Sequence, residues 1–219
     1  MTALLANGTR RAVPTRRATK GQARGDRTRQ LIIGETIRCV RDEGFAAVSA
    51  SHIAERAGVT WGVIQYHFGD REAVLVAVVD YGYESLREAI DHVEVPSGNP
   101  RDRVHAVVHA GWHAFSNPAS LAAFEILIAT RAGREPWFET HLADLADQLT
   151  RLGRALDPGG RGRRRQTIGN LLWATLRGLA LAQMVVREPM DFSPELEALV
   201  DLLTMHLESR KRERGLPDR

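Results

Sequence analysis

The chain has 219 residues, 43% of them apolar, which allows one large domain or two small ones, each with its own core. A single cysteine, Cys39, excludes an intrachain disulfide framework and suits a reducing, cytoplasmic setting. The net charge of +3 hides an asymmetry: residues 1–30 carry eight bases (Arg10, Arg11, Arg16, Arg17, Lys20, Arg24, Arg27 and Arg29) against Asp26, a net +7, which leaves −4 on the other 189 residues. Such an arm can settle on a polyanion or remain a solvated, disordered tail. Leu4-Leu5-Ala6 is too short for the apolar stretch of a signal peptide. The most apolar segment, Ile168–Val186, contains Asn170, Arg177 and Gln183. A central Arg costs about 2.5–3.5 kcal/mol on membrane-insertion scales, so the segment reads as a buried helix and no membrane span is expected.

Residues 1–26 read as the basic arm, and from Arg27 onward nearly every segment shows helical period without strand alternation, predicting an all-α chain of about nine helices. The first is expected over about 27–43, ended by Gly44. Two short helices follow at about 50–57 and 61–67, then a long connecting helix begun by Asp70 and running to about 94. The Pro/Gly run at 96–100 marks a linker, and further helices are expected at about 101–116, 119–132, 136–156, 164–187 and 194–212, with a disordered tail over 213–219. The bases from Arg161 to Arg165 sit in a glycine-rich loop and read as solvated.

The informative stretch runs from Ser49 to Phe68. Ser49 can cap the first short helix and Thr60 the second. Ala54 is small enough for two helices to cross closely, and Gly58 stands where the chain leaves a helix sharply. Val59 and Ile64 can form a hydrophobic staple, and Ile64 and Phe68, four apart, face the core. That turns Trp61, Gly62, Gln65 and Tyr66 outward, with Val63 and His67 at the margins. An ordinary solvated face carries Lys, Glu and Asp. Gln can instead read adenine, Trp or Val can touch a thymine methyl, and Tyr, His and Arg71 can reach phosphates. The pattern describes a helix-turn-helix that binds double-stranded DNA.

The segments Ile53-Ala-Glu-Arg-Ala-Gly-Val-Thr60 and Ile64-x-Tyr66-His-Phe68-x-x-Arg71-Glu-x-x-Leu75 resemble the TetR/AcrR family of transcriptional regulators. The resemblance covers about residues 27–75 and implies a three-helix head on a connecting fourth helix, with a C-terminal ligand-binding and dimerisation domain over 101–212. By position it carries DNA contact onto Trp61, Gly62, Val63, Gln65, Tyr66, His67 and Arg71. Ser49, Ser51 and Thr60 complete the candidate interface. Ser51 and His52 depart from the Arg and the acid that many members carry there, and Trp61 is bulkier than the residues common at its place.

No catalytic constellation is visible in the C-terminal half, so no enzyme activity and no cofactor are expected. His105, His109 and His113 recur every four residues. That spacing suits a metal, but nothing near them in the chain completes a ligand set, so no metal is expected. Trp112, Phe124, Trp137, Trp173 and Met184, with His109 and His113, are candidates to line a small-molecule pocket or simply to fill the core. The resemblance implies such a pocket, for a mostly apolar effector. The helices at 164–187 and 194–212 carry more apolar surface than one buried stripe needs, which fits a two-fold four-helix homodimer interface or a larger monomeric core. The expected whole is a cytoplasmic, ligand-responsive homodimer, probing a palindromic operator as a repressor. The rivals are an activator, an architectural DNA binder that reads no sequence, and a helical enzyme or carrier.

Overall fold

The computed structural model describes residues 20–131, 150–160, 162–186 and 188–213, and among them all regular structure is helical. Three helices make an N-terminal head: α1 (Lys20–Glu43), α2 (Ala50–Arg56) and α3 (Trp61–Phe68), with a 3-10 turn at Phe45–Ala47. The long helix α4 (Arg71–Asp91) leads out of the head into a body of α5 (Pro100–Ser116), α6 (Pro118–Ala129), helical residues 150–156 (α7), α8 (Arg163–Val185) and α9 (Ser193–Glu213).

Local chemistry sets most boundaries. Ser49 Oγ accepts from His52 N at 3.2 Å, and Asp70 Oδ1 accepts from Ala73 N at 2.8 Å, so both open helices as their positions predict. Asn99 and Asn117 cap α5 and α6 through Arg101 N and Ser120 N, each with a proline in the first turn. Gly44 and Gly58 take φ of 84° and 62°, the left-handed region that a side chain resists. Thr60 departs from expectation: it holds the N-cap position of α3, yet its hydroxyl makes no capping bond.

The first helix begins at Lys20, not near residue 27, so residues 20–26 belong to the head and not to a disordered arm. Its extra turns are supported from outside. A Cβ built on Gly25 would lie 3.7 Å from the His67 ring, Arg29 Nη1 donates to His67 O at 3.0 Å, and the Arg29 guanidinium stands 4.2 Å from the centre of the Phe68 ring. The start of α1 therefore rests on the end of α3. The bases Arg10, Arg11, Arg16 and Arg17 lie outside the described residues, as do most of the helix expected at 136–156 and residues 214–219 of the tail expected over 213–219, whose first residue, Glu213, ends α9.

Two hydrophobic clusters hold the described chain. The head cluster gathers Ile32, Ile37, Val40, Ile53, Ile64, Val74 and Val78, together with Ala119, Ala122, Ala123 and Ile126 of α6. The body cluster centres on Phe115 and includes Leu121 of α6, Leu172, Trp173 and Leu176 of α8, and Leu196, Val200 and Leu203 of α9. Helix α6 thus has a face in each cluster, and α4 joins both along its length, with Val74 and Val78 in the head and Leu86 and Ile90 in the body. Gly82 lets α4 and α6 approach: a Cβ there would lie 2.6 Å from Ala119 O and 2.8 Å from Ala123 Cβ. Gly153 serves the same purpose where α7 meets α8, with Arg165 O at 1.9 Å from a built Cβ.

Candidate nucleic-acid interface

Helix α3 separates its residues as the sequence pattern predicts. Ile64 is fully buried in the head core, and Phe68 packs beside it. Trp61, Gly62, Gln65 and Tyr66 form one exposed stripe, with Tyr66 at 86% exposure. The tip of α2 adds Ser49 and Ser51, both exposed, with hydroxyls 3.2 Å apart. Thr60, free of capping, is exposed at the same end as Trp61.

Three candidate contacts sit differently from the sequence-based reading. Val63 is half-buried against the head core, so its methyl groups pack inward. His67 is half-buried, with its ring edge-on to Tyr66 at 5.1 Å and its carbonyl held by Arg29. Arg71 is bound within the head: Nε donates to Val48 O at 2.6 Å, Nη1 to Glu72 Oε1 at 3.1 Å, and the guanidinium lies 5.2 Å from the Phe45 ring centre. Its planar fork closes the loop before α2 onto the start of α4, which fixes the orientation of α3 between them.

An ion network braces the other side of the head. Arg56 of α2 pairs with Glu43, with Asp42 at 3.3 Å and with Glu35 at 3.7 Å, while His52 Nε2 lies 2.8 Å from Glu43 Oε2. The hydrogen bond from His52, followed by the one from Arg56, holds the Glu43 carboxyl below the usual carboxylate range. Arg38 does the same for Glu35, whereas burial pushes the Cys39 thiol up.

Two residues that sequence reasoning missed connect this head to its surroundings. Arg29, which in the sequence shows only as part of the N-terminal charge excess, clamps the end of α3. Glu125 of α6 accepts the Phe45 amide at 2.6 Å, a hydrogen bond spanning 80 residues. Its carboxylate takes the free N–H at the start of the 3-10 turn, so the body holds the head through a polar tie as well as an apolar one. A lone Glu in an apolar helix was the available signal, but its partner lies too far along the chain to be guessed.

The residues expected around an effector do not all converge. Phe124 stacks on Phe115 at 5.6 Å, Trp173 meets Phe115 edge-on at 4.4 Å, Trp112 meets Phe192 at 5.2 Å, and Met184 packs on the same cluster. His109 instead faces Glu197 at 3.3 Å. His113 lines a groove of about 480 Å³ on the head side of the body, between α1, α4 and the α5–α6 junction, with Ile33, Tyr81 and Asn117. Trp137 lies outside the described residues.

A helix-turn-helix whose second helix offers an uncharged, hydrogen-bonding outer face defines a DNA-binding protein of the transcription-regulator class. Residues 32–78 match the family model for bacterial regulatory proteins of the tetR family. An HTH-type transcriptional regulator BetI from Rhizobium meliloti is 25% identical over 183 residues, which is 82% of this chain and 89% of that protein. A regulator of the same description from Yersinia pestis is 35% identical over 86 residues, 38% of this chain and 43% of its own length. Among solved structures, the TetR-family regulator PfmR from Thermus thermophilus superposes with a TM-score of 0.62 at 18% identity, covering 85% of this chain and 96% of that one. Residues 32–78 thus match the DNA-binding domain of the tetR family of bacterial regulatory proteins, and over most of its length the chain is similar to an HTH-type transcriptional regulator. Among the described residues no helix is long and apolar enough to cross a membrane.

Proposed function

We propose that the chain acts as a homodimeric repressor, bound to a near-palindromic operator and released from it by a mostly apolar small molecule in the body. The observation that carries this reading is the double membership of α6. Leu121 and Phe124 belong to the body cluster, while Ala119, Ala122, Ala123 and Ile126 complete the head. A ligand that displaces α6 by wedging against Phe115, Phe124 and Trp173 strains the head core and the Glu125–Phe45 tie together. Helix α4, 21 residues and so about 32 Å long, carries that displacement to the reading helix. A 100-fold loss of DNA affinity needs about 2.7 kcal/mol of preference by the ligand for the released arrangement.

Dimerisation is supported by apolar surface that is exposed among the described residues. Helix α9 buries Leu196, Leu199, Val200 and Leu203 and presents a second stripe of Ala198, Leu202 and Met205, the last two 63% and 64% exposed. Helix α8 likewise presents Leu171, Ala174 and Gly178 outward, and a Cβ built on Gly178 meets nothing within 4 Å. Among the described residues nothing calls for a small residue there, whereas a second copy packed closely against α8 does. Two-fold pairing would set the reading helices about 34–36 Å apart, one turn of DNA. In this reading Trp61, Gly62 and Gln65 face bases, and Tyr66, Thr60, Ser49 and Ser51 face phosphates.

Selection of bound fragments from a random DNA library tests the proposal, with sedimentation of the free chain alongside. An inverted repeat and a dimer that Leu202→Asp dissociates are the expected results. Enrichment of no motif leaves the architectural binder, and a monomer at micromolar concentration removes the two-fold reading. Reporter expression that falls, not rises, on deleting the gene would make the chain an activator.

A further inference from the structure

His105 and His109 lie one turn apart on α5, and α9 brings Glu197 against both. Each imidazole Nε2 is 3.3 Å from the same carboxylate oxygen, Oε1. The other oxygen, Oε2, accepts from Arg101 at 3.0 Å, and Arg101 also reaches Asp201 Oδ1 at 3.0 Å. Arg101 thereby fixes the rotation of the carboxylate and leaves Oε1 turned to the rings. The rings stack with centroids 4.1 Å apart. One donor atom from each of the three side chains falls within 4.8 Å of the others.

Hydrogen bonding alone accounts poorly for this arrangement. N–H···O bonds centre near 2.9–3.0 Å, and both contacts here are longer, with two rings sharing one acceptor. The distances fit a different demand. An ion holding N and O ligands tetrahedrally at about 2.0–2.1 Å separates them by about 3.3–3.4 Å. Both His–Glu edges have that length.

We propose that His105 Nε2, His109 Nε2 and Glu197 Oε1 bind a zinc-class divalent ion between α5 and α9. Two imidazoles and one carboxylate suit Zn²⁺ and its Co²⁺, Ni²⁺ and Cu²⁺ neighbours, not the all-oxygen shells of Ca²⁺ and Mg²⁺. All three side chains are partly exposed, which gives the ion a way in and leaves its fourth position to water. Arg101 is a positioning residue, orienting the ligand carboxylate from outside. His113, on the same helix, faces the groove beside α1 and α4 and takes no part. The ion would clip α9 to α5. In the sequence nothing near the histidines completes a ligand set; in the fold Glu197, 88 residues beyond His109, stands against both.

The test uses the untagged full chain, stripped with chelator, dialysed and titrated calorimetrically with Zn²⁺, with Co²⁺ as a spectroscopic probe. One ion per chain and the visible bands of four-coordinate Co²⁺ are expected. Arg101→Gln should weaken binding roughly 10–100-fold, the range for groups that orient a ligand, and His105→Ala, His109→Ala and Glu197→Gln at least as much. His113→Ala and Cys39→Ser should bind as the parent does. No saturable uptake, or uptake untouched by Glu197→Gln and His109→Ala, overturns the proposal. So does loss in Cys39→Ser, which would place the ion at Cys39, Glu43 and His52. Should a ligand variant not fold, the parent chain decides: Zn²⁺ must shift the imidazole resonances of two of the eight histidines, and a shift confined to any other set refutes the site.

Discussion

A methyl group at residue 82 would probe the joint between head and body. In Gly82→Ala the new Cβ stands 2.6 Å from Ala119 O, 2.8 Å from Ala123 Cβ and 3.1 Å from Ala119 C. Ordinary contact begins near 3.4 Å, so α4 and α6 must part by several tenths of an ångström, and the obstacle is a helix carbonyl that cannot rotate away. Overpacking of this kind costs about 1–3 kcal/mol. Against it stands the gain of about 1 kcal/mol for Ala over Gly inside a helix. Gly111 of α5 supplies the control. Its built Cβ also meets an atom at 2.6 Å, but that atom is Cδ1 of Leu176, the end of a side chain with other rotamers. Gly111→Ala keeps the helix gain at little steric cost. The two variants should therefore differ by about 1–3 kcal/mol, and at about 2–4 °C per kcal/mol for a chain of this size, Gly82→Ala should melt several degrees below Gly111→Ala. Thermal unfolding at matched concentration measures the difference, because a dimer melts at a concentration-dependent temperature. Operator affinity should fall in Gly82→Ala alone. Equal melting temperatures, or a more stable Gly82→Ala, would refute the close crossing.

Glu125→Ala leaves the Phe45 amide without its acceptor, at a cost of about 1–3 kcal/mol. Glu125→Gln retains a carbonyl oxygen and should recover most of that loss, with amide hydrogen exchange at Phe45 separating the two. Gln65→Ala should relax base preference by about 1–3 kcal/mol at one position per half-site, and an unchanged selected motif would remove Gln65 from base reading. Glu43 and Glu35 have pKa values lowered in the folded head, so their contribution is complete above the ordinary carboxylate value and is lost as the pH falls through their folded values. Urea midpoints should hold steady from neutral pH to about 5 and decline below about 4, near the ordinary carboxylate range. Glu43→Gln should flatten that decline, and an identical acid slope would dismiss the network around Arg56.

The head was largely legible because its instructions are local. Ser49 and Asp70 cap amides three residues on, Gly44 and Gly58 end helices through their own φ, and the 3.6-residue period separates Ile64 from the exposed stripe of Trp61, Gly62, Gln65 and Tyr66. The similarity to the Yersinia pestis regulator is likewise confined to 86 residues. The body offered periodicity but few local anchors, and its effector candidates divided among the Phe115 cluster, the head-side groove and Glu197.

By itself, then, the sequence determined most of the helices of the head, the caps at Ser49 and Asp70 and which residues of α3 turn outward, since each depends on residues within a turn or two. Tertiary structure alone decided where α1 begins, because its first turns carry two glycines and gain support from His67 and Phe68 across the head. It also bonded Arg71 to Val48, gave α6 to both cores, and joined Glu125 to Phe45 and Glu197 to His105 and His109. These are contacts between chain-distant partners, and no pattern of neighbours encodes which distant group a side chain will meet once the helices pack.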